Sequence, residues 1–284
     1  NTTAVGYTLS KALASGTVTY TRISGTADSN SPHTVTLAGT ELNSGTRSSA
    51  ALTSAPTLVS GSIYTIAFNG TDAVGNNATE VSVTGITYDT TAPAFSSLSP
   101  STSSTVNTTA VGYTLSEAIA SGTVTYTRTG GTADGNSPHT VALAGTELNS
   151  GTRSSAVLTN APTLVNGTIY TIAFNGTDAA GNSATQVSVT GITYDTTAPA
   201  FSSVSPSTSS TVNTTAVGYT LSEAIASGTV TYTRTSGTAD GNSPHTVALA
   251  GSELNSGTRS SAVLTNAPTL VNGTIYTIAF NGTD

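Results

Sequence analysis

The segment NTTAVGYTLS begins at Asn1, at Asn107 and again at Asn213, so the chain repeats itself with a period of 106 residues. A period of that size is a whole domain, because solenoid units run only roughly 20–50 residues. Residues 107–178 and 213–284 differ only at Gly130/Ser236 and Thr146/Ser252, whereas the first copy is more diverged and carries Lys11 where the others have Glu117 and Glu223. Whatever fold one copy adopts, the other two must adopt as well. The expected division is residues 1–88 for repeat 1, without a first strand, 89–194 for a complete repeat 2, and 195–284 for repeat 3, without a last strand. The block from Asn166 to Pro199 recurs from Ser60 to Pro93 and in part from Asn272 to Asp284, so the chain reads as a window on a longer array.

Within repeat 2 the hydrophobic period is two. Val111, Tyr113 and Leu115 alternate with Gly112 and Thr114, Thr123 to Thr127 reads TVTYT, and Tyr170, Ile172 and Phe174 alternate with Thr171, Ala173 and Asn175. That alternation marks strands with one buried face. Phe95 and Leu98 anchor an expected edge strand that Pro100 ends. SPSTSSTV after it reads as a flexible crossing, and SEAIASG, at 116–122, is too short for a stable helix. A further strand carries Val141 and Leu143, ELNSGTR turns the chain into SSAVLT, and the polar GGTADGNSPH is expected to be a surface loop. In the final strand Val187 and Val189 are followed by Ile192 and Tyr194, a parity shift that predicts a bulge at Gly191. Seven or eight short strands in about 100 residues, with no amphipathic helix, describe an all-β, two-sheet sandwich.

Composition narrows the function. Charged residues make up only 7% of the chain, and Cys, Met and Trp are absent, so neither disulfides nor thiol chemistry is available. Thr at the outward positions suits a solvated pleated face. A net charge of -7 with only seven Lys and Arg offers no basic stripe for nucleic acid. No apolar run approaches the roughly 20 residues of a membrane helix. His33, His139 and His245 are one loop position seen three times, and a single His per repeat is too few for zinc. No G-x-S-x-G nucleophile elbow occurs beside the abundant Ser, and an enzyme is not expected. N-x-T sequons stand at Asn1, Asn69, Asn77, Asn107, Asn166, Asn175, Asn213, Asn272 and Asn281, and Asn-Gly turn chemistry alone accounts for several of them.

Leu164, Gly167 and Tyr170, repeated as Leu58, Gly61 and Tyr64 and as Leu270, Gly273 and Tyr276, have the spacing of the tyrosine corner of fibronectin type III and related immunoglobulin-like domains, with Asn166 in place of the usual Pro. With DAAGN at 178–182 and YDTTAP at 194–199, the chain resembles the bacterial Ig-like repeats strung in tandem through large surface adhesins. The resemblance covers essentially the whole chain. It implies tandem immunoglobulin-like sandwiches, beads on a string, in an extracellular protein whose repeats act as stalk or spacer.

In such a sandwich two inter-strand loops and the incoming linker meet at one end, so Asp89, Glu117, Asp178 and Asn182 are expected to converge, as are Asp195, Glu223 and Asp284 at the next junction. Calcium takes roughly 6–8 oxygen ligands, and these side chains with backbone carbonyls and water can supply them. Resemblance to calcium-stiffened adhesin stalks points the same way. The plainer reading is that Asp178 and Asn182 shape a turn, that Asp89 and Asp195 punctuate a linker, and that Glu117 is solvated. Lys11 argues against a cation in repeat 1. No cofactor is required.

The resulting expectation is a non-enzymatic structural stalk of a bacterial surface protein, its partners being the neighbouring repeats. Two alternatives stand beside it: repeats that assemble with identical chains into a filament or surface layer by strand addition, and a direct glycan- or protein-binding module using the end loops.

Overall fold

The computed structural model describes residues 3–284; the sequon at Asn1 and the first two residues of repeat 1 lie outside the described residues. Two units are distinct, Asn1–Asp195 and Thr196–Asp284.

The first unit opens with β1 (Val5–Leu9), β2 (Ser15–Gly25), β3 (His33–Thr36), β4 (Gly45–Ala50), β5 (Ser62–Thr71) and β6 (Val81–Tyr88). They form a sheet of order β3-β2-β5-β6 and a two-stranded sheet β1-β4. Eight further strands follow: β7 (Phe95–Ser99), β8 (Thr105–Val106), β9 (Val111–Leu115), β10 (Ser121–Gly131), β11 (His139–Ala142), β12 (Gly151–Ala156), β13 (Thr168–Thr177) and β14 (Val187–Tyr194). Here the sheets are β11-β10-β13-β14-β8 and β12-β9-β7, with every pair antiparallel except β8 against β14. The second unit repeats the scheme with β15 (Phe201–Ser205), β16 (Val217–Leu221), β17 (Ser227–Gly237), β18 (His245–Ala248), β19 (Gly257–Ala262) and β20 (Thr274–Thr283), in sheets β15-β16-β19 and β18-β17-β20.

The period-two pattern places the core where the sequence puts it. Val111, Tyr113 and Leu115 from β9 face Val124, Tyr126, Tyr170, Ile172 and Phe174 from the opposite sheet, all buried. Phe95, Tyr113 and Phe174 form a ring cluster with centroids 5.3, 6.0 and 5.8 Å apart, tilted or edge-on, the geometry aromatic quadrupoles favour. Each buried tyrosine hydroxyl has a partner. Tyr113 donates to the Glu147 carbonyl at 2.7 Å and Tyr126 to the Thr109 carbonyl at 2.9 Å. Burial pushes the Tyr113 phenol up to about 12. On the outward faces threonines pair across strands, Thr114 with Thr152 at 3.0 Å and Thr125 with Thr140 at 3.2 Å. Cross-strand Thr pairs of this kind stabilise a sheet without charge, which accounts for the Thr-rich composition.

The bulge expected at Gly191 is present. Tyr170 opposes Ile192 and Ile172 opposes Val189, so β14 carries one residue more than β13 over that stretch, and Gly191 takes φ 70°. That left-handed conformation favours glycine.

Two expectations change. SPSTSSTV is not a flexible crossing in repeat 2. Ser103 donates its N–H to the Thr190 carbonyl at 2.9 Å, and Thr105–Val106 pairs in parallel with Thr193–Tyr194. The equivalent pair Thr211–Val212 forms no strand among the described residues of the second unit. ELNSGTR is more than a turn. Gly145–Leu148 winds into a 3-10 helix whose Glu147 is only 2% exposed. Its carboxylate accepts the N–H of Ala144 at 2.8 Å, the N–H of Thr159 at 2.7 Å and the Thr159 hydroxyl at 2.9 Å, with Arg153 at 3.5 Å. These bonds hold the carboxyl below its ordinary pKa despite a burial penalty that is the largest single influence on it.

Candidate metal centre at the joint of the first two repeats

Three carboxylates meet in the first unit. Asp89 follows β6 directly, Glu117 lies in the loop between β9 and β10, and Asp178 follows β13; each offers one oxygen, and these oxygens all lie within 4.8 Å of one another. The local structure explains the placement of each. Asp178 opens the turn into β14: its N–H donates to the Asn182 carbonyl at 3.0 Å, and its carboxylate accepts the Asn182 backbone N–H and side-chain amide, both at 2.8 Å. Asp89 accepts the Thr91 N–H at 2.9 Å and the Ser60 hydroxyl at 3.3 Å. Asn182 also donates to the Asp89 carbonyl at 3.2 Å, tying the turn after β13 to the linker that leaves β6. Asn182 therefore enters as an orienting donor to Asp178 and Asp89.

The electrostatics are those of crowded anions. Burial, and then the charges of Asp89 and Asp178, raise the Glu117 carboxyl above its usual range. For Asp178 burial pushes the same way but is outweighed by the hydrogen bonds from Asn182, so its carboxyl sits lower than usual. A divalent cation, bound by hard oxygen donors, would neutralise this cluster, and the donor set is the kind calcium takes.

Repeat 1 holds the corresponding position differently. Asp72 and Asn76 form the same turn, with Asn76 donating its N–H at 2.8 Å and its side-chain amide at 2.9 Å to the Asp72 carboxylate. Opposite them stands Lys11, whose ammonium donates directly to Asp72. That bond, followed by those from Asn76, holds the Asp72 carboxyl far below the usual carboxylate range. A fixed side-chain cation thus occupies the place facing the turn aspartate.

Of the remaining candidates, Asp195 ends the first unit, its N–H donating to the Val106 carbonyl at 2.9 Å. Glu223 and Asp284 belong to the second unit, in the loop after β16 and at the end of β20, and offer oxygens within 4.8 Å of each other.

The histidine position is more than an exposed loop residue. In each repeat a buried aspartate accepts from the corner tyrosine and contacts the imidazole: Asp134 Oδ2 lies 2.7 Å from the Tyr170 hydroxyl and 2.6 Å from His139 Nε2. Asp28 with Tyr64 and His33, and Asp240 with Tyr276 and His245, repeat the arrangement. Tyr170 accepts the Val165 N–H at 3.1 Å, so one chain of bonds joins the tyrosine corner to the loop GGTADGNSPH. The Tyr170 bond first, and then that of His139, lower the Asp134 carboxyl to about 2. The closeness of Asp134 to His139 in sequence is the one signal that could have disclosed this cluster.

Residues 89–193 and 195–283, more than half of the chain, match the family described as Bacterial Ig-like domain (Big_5). The chain belongs to this family. The match falls on successive tandem copies of the Ig-like domain and indicates no catalytic family. Among curated proteins nothing matches. A solved structure, the tetra-tandem repeat in the extending region of a large adhesion protein, is similar over 97% of this chain and 68% of that one, at 19% identity and a TM-score of 0.29.

Proposed function

We propose that these Ig-like repeats are structural: a stalk in an extracellular bacterial surface protein, extending or connecting a functional module. The observation that carries this reading is the near-identity of successive sandwiches, each with its own aromatic core and joined by the short YDTTAP linker. Copying a domain almost unchanged multiplies length, and a sandwich held by its own cross-strand hydrogen bonds is suited to bear load.

Calcium is the proposed stiffener of the joint. Asp89, Glu117 and Asp178 would bind it, with Asn182 holding Asp178 and the Asp89 carbonyl in place. The divergence of repeat 1 supports this assignment, since the copy that has Lys11 carries its own positive charge at the equivalent turn. Small-angle scattering of the chain, with calcium and with chelator, tests both ideas. An extended particle whose maximum dimension grows and whose flexibility falls with calcium is the expected result. A collapsed particle sinks the stalk, while an extended particle indifferent to calcium and free of bound metal sinks the ion and leaves the stalk.

A further inference from the structure

The tripeptide Asn-Gly-Thr is written twice in repeat 2, at Asn166–Thr168 and at Asn175–Thr177, and the fold treats the two copies differently. Both asparagines are exposed. Asn166 precedes Gly167 at the turn into β13, where Gly167 takes φ 73° and its N–H donates to the Tyr194 carbonyl of β14 at 2.8 Å. Asn175 lies within β13 and not in a turn. The ladder with β14 ends there at the pair Phe174 and Val187, and the N–H of the buried Gly176 donates instead to Oδ1 of Asn175 itself, at 2.8 Å. A buried amide needs such a partner, and the neighbouring side chain supplies it. The glycine is fixed by packing, since a Cβ on it would stand 2.9 Å from Ile119 Cδ1 and 3.2 Å from the Ser121 carbonyl. Asn69–Gly70 in β5 and Asn281–Gly282 in β20 make the same bond at 2.9 and 3.0 Å.

We propose that Asn175, with its counterparts Asn69 and Asn281, is a site of self-modification at which the chain's own backbone displaces ammonia from the side chain, and that Asn166 is held back from the same reaction. The nucleophile is the Gly176 nitrogen and the electrophile is Asn175 Cγ, one bond from the oxygen that the N–H already touches, so the reacting groups are held together in advance. The nitrogen gives up its proton and attacks Cγ. The new N–Cγ bond closes a five-membered succinimide, the Cγ–Nδ2 bond breaks, and the leaving group takes up the proton as ammonia. Solvent water then opens the ring at one of its two carbonyls to give aspartate or isoaspartate, so that one water is consumed for each ammonia released. At Gly167 the nitrogen must first surrender its bond to Tyr194. Isoaspartate carries the main chain through the former side chain and lengthens β13 by one methylene just before Thr177 and Asp178. The Thr177 carbonyl accepts the Ala120 N–H at 2.8 Å, and that contact loosens in the modified chain.

The full chain is incubated in warm, mildly alkaline buffer, folded and in guanidinium chloride, until the unfolded sample has converted half of its Asn175. Peptide mapping with electron-transfer fragmentation then locates aspartate and isoaspartate. In the folded chain conversion at Asn175 should outrun that at Asn166 about tenfold, the factor that one backbone hydrogen bond is worth when it must be broken first. In guanidinium chloride the two identical tripeptides should convert alike. Amide exchange at Ala120 should quicken in the isoaspartate fraction and stay unchanged in Asn175→Gln incubated alongside, whose longer side chain cannot close the five-membered ring. A folded chain in which Asn166 converts as fast as Asn175, or in which Asn175 stays intact, would overturn the proposal. So would a preference for Asn175 that persists unfolded, which would trace the difference to sequence neighbours and not to the fold. An Ala120 amide indifferent to the modification would overturn the loosening of β13.

Discussion

Repeats 1 and 2 share their tyrosine corner, their buried glutamate and their threonine ladders, and differ in the charges that face the turn after the long central strand. At the joint, repeat 2 gathers Asp89, Glu117 and Asp178, while repeat 1 places Lys11 on Asp72. The common frame and the variable joint are therefore separable. Glu41 and Glu147 keep equivalent partners in the two copies, whereas the residue facing the turn aspartate changes from a cation, Lys11, to an anion, Glu117.

The largest test of that separation is the aromatic cluster. Phe174→Ala removes a fully buried ring that touches Phe95 and Tyr113 and should cost repeat 2 about 3–5 kcal/mol. Phe68→Ala, at a half-buried ring with Tyr7 as its neighbour, should cost clearly less. Urea unfolding read through residue-resolved hydrogen exchange distinguishes them; equal losses would mean that Phe95 adds nothing to the core.

Next comes the frame itself. Glu41 and Glu147 are each 2% exposed and hold the same three groups, the N–H of the residue three before and the N–H and hydroxyl of a threonine twelve residues on. Replacement by Ala leaves buried donors unmet and should cost about 2–4 kcal/mol in either repeat. Here the two losses should match, and a repeat 1 variant that tolerates the change would break the claim that the frame is common.

Much of this frame was legible in the sequence because it rests on local rules. Alternation fixed which faces of β9 and β13 are buried, and the parity shift located the Gly191 bulge, since a strand that keeps one face buried across such a shift must carry an extra residue. The meeting of Asp89, Glu117 and Asp178 was legible through the immunoglobulin-like topology, which dictates which loops share an end. Glu147 and the Asp134–His139–Tyr170 cluster were not. Both depend on long-range partners, Thr159 twelve residues away and Tyr170 thirty-six residues away, and a charged residue in a Gly- and Ser-rich stretch reads as solvated until those partners are known. The pairing of β8 was hidden for a similar reason: a Ser/Thr run has no periodic signal, and its order comes from the backbone of β14.

Exchanging the joint is a smaller perturbation with a sharper readout. Lys11→Glu removes an ion pair whose lysine side chain is 62% exposed, so the loss of stability should be only about 0.2–1 kcal/mol. Glu117→Lys should stabilise repeat 2 by a similar amount without calcium while abolishing its metal response. Isothermal titration with calcium checks the second: heat unchanged by Glu117→Lys would place the ion elsewhere.

The smallest effect is a dependence on pH at Glu117. Because burial and the two aspartates raise its carboxyl in the folded state, folded repeat 2 holds that proton more tightly than the unfolded chain does. Stability should therefore fall as pH rises from the ordinary carboxylate range through the raised value, and recover on acidification, until protonation of Asp178 and of Asp134, whose carboxyl titrates at about 2, reverses the gain. Calcium should abolish the fall by neutralising the cluster, and acid should weaken calcium binding over the same interval, since proton and ion compete for Glu117. Glu117→Gln should flatten both curves. Thermal unfolding of the parent and of this variant from mildly acidic to neutral pH, with calcium and with chelator, provides the traces needed. A parent trace parallel to that of Glu117→Gln in chelator would mean that the three carboxylates do not sense one another, and the case for a cation at this joint would fall with it.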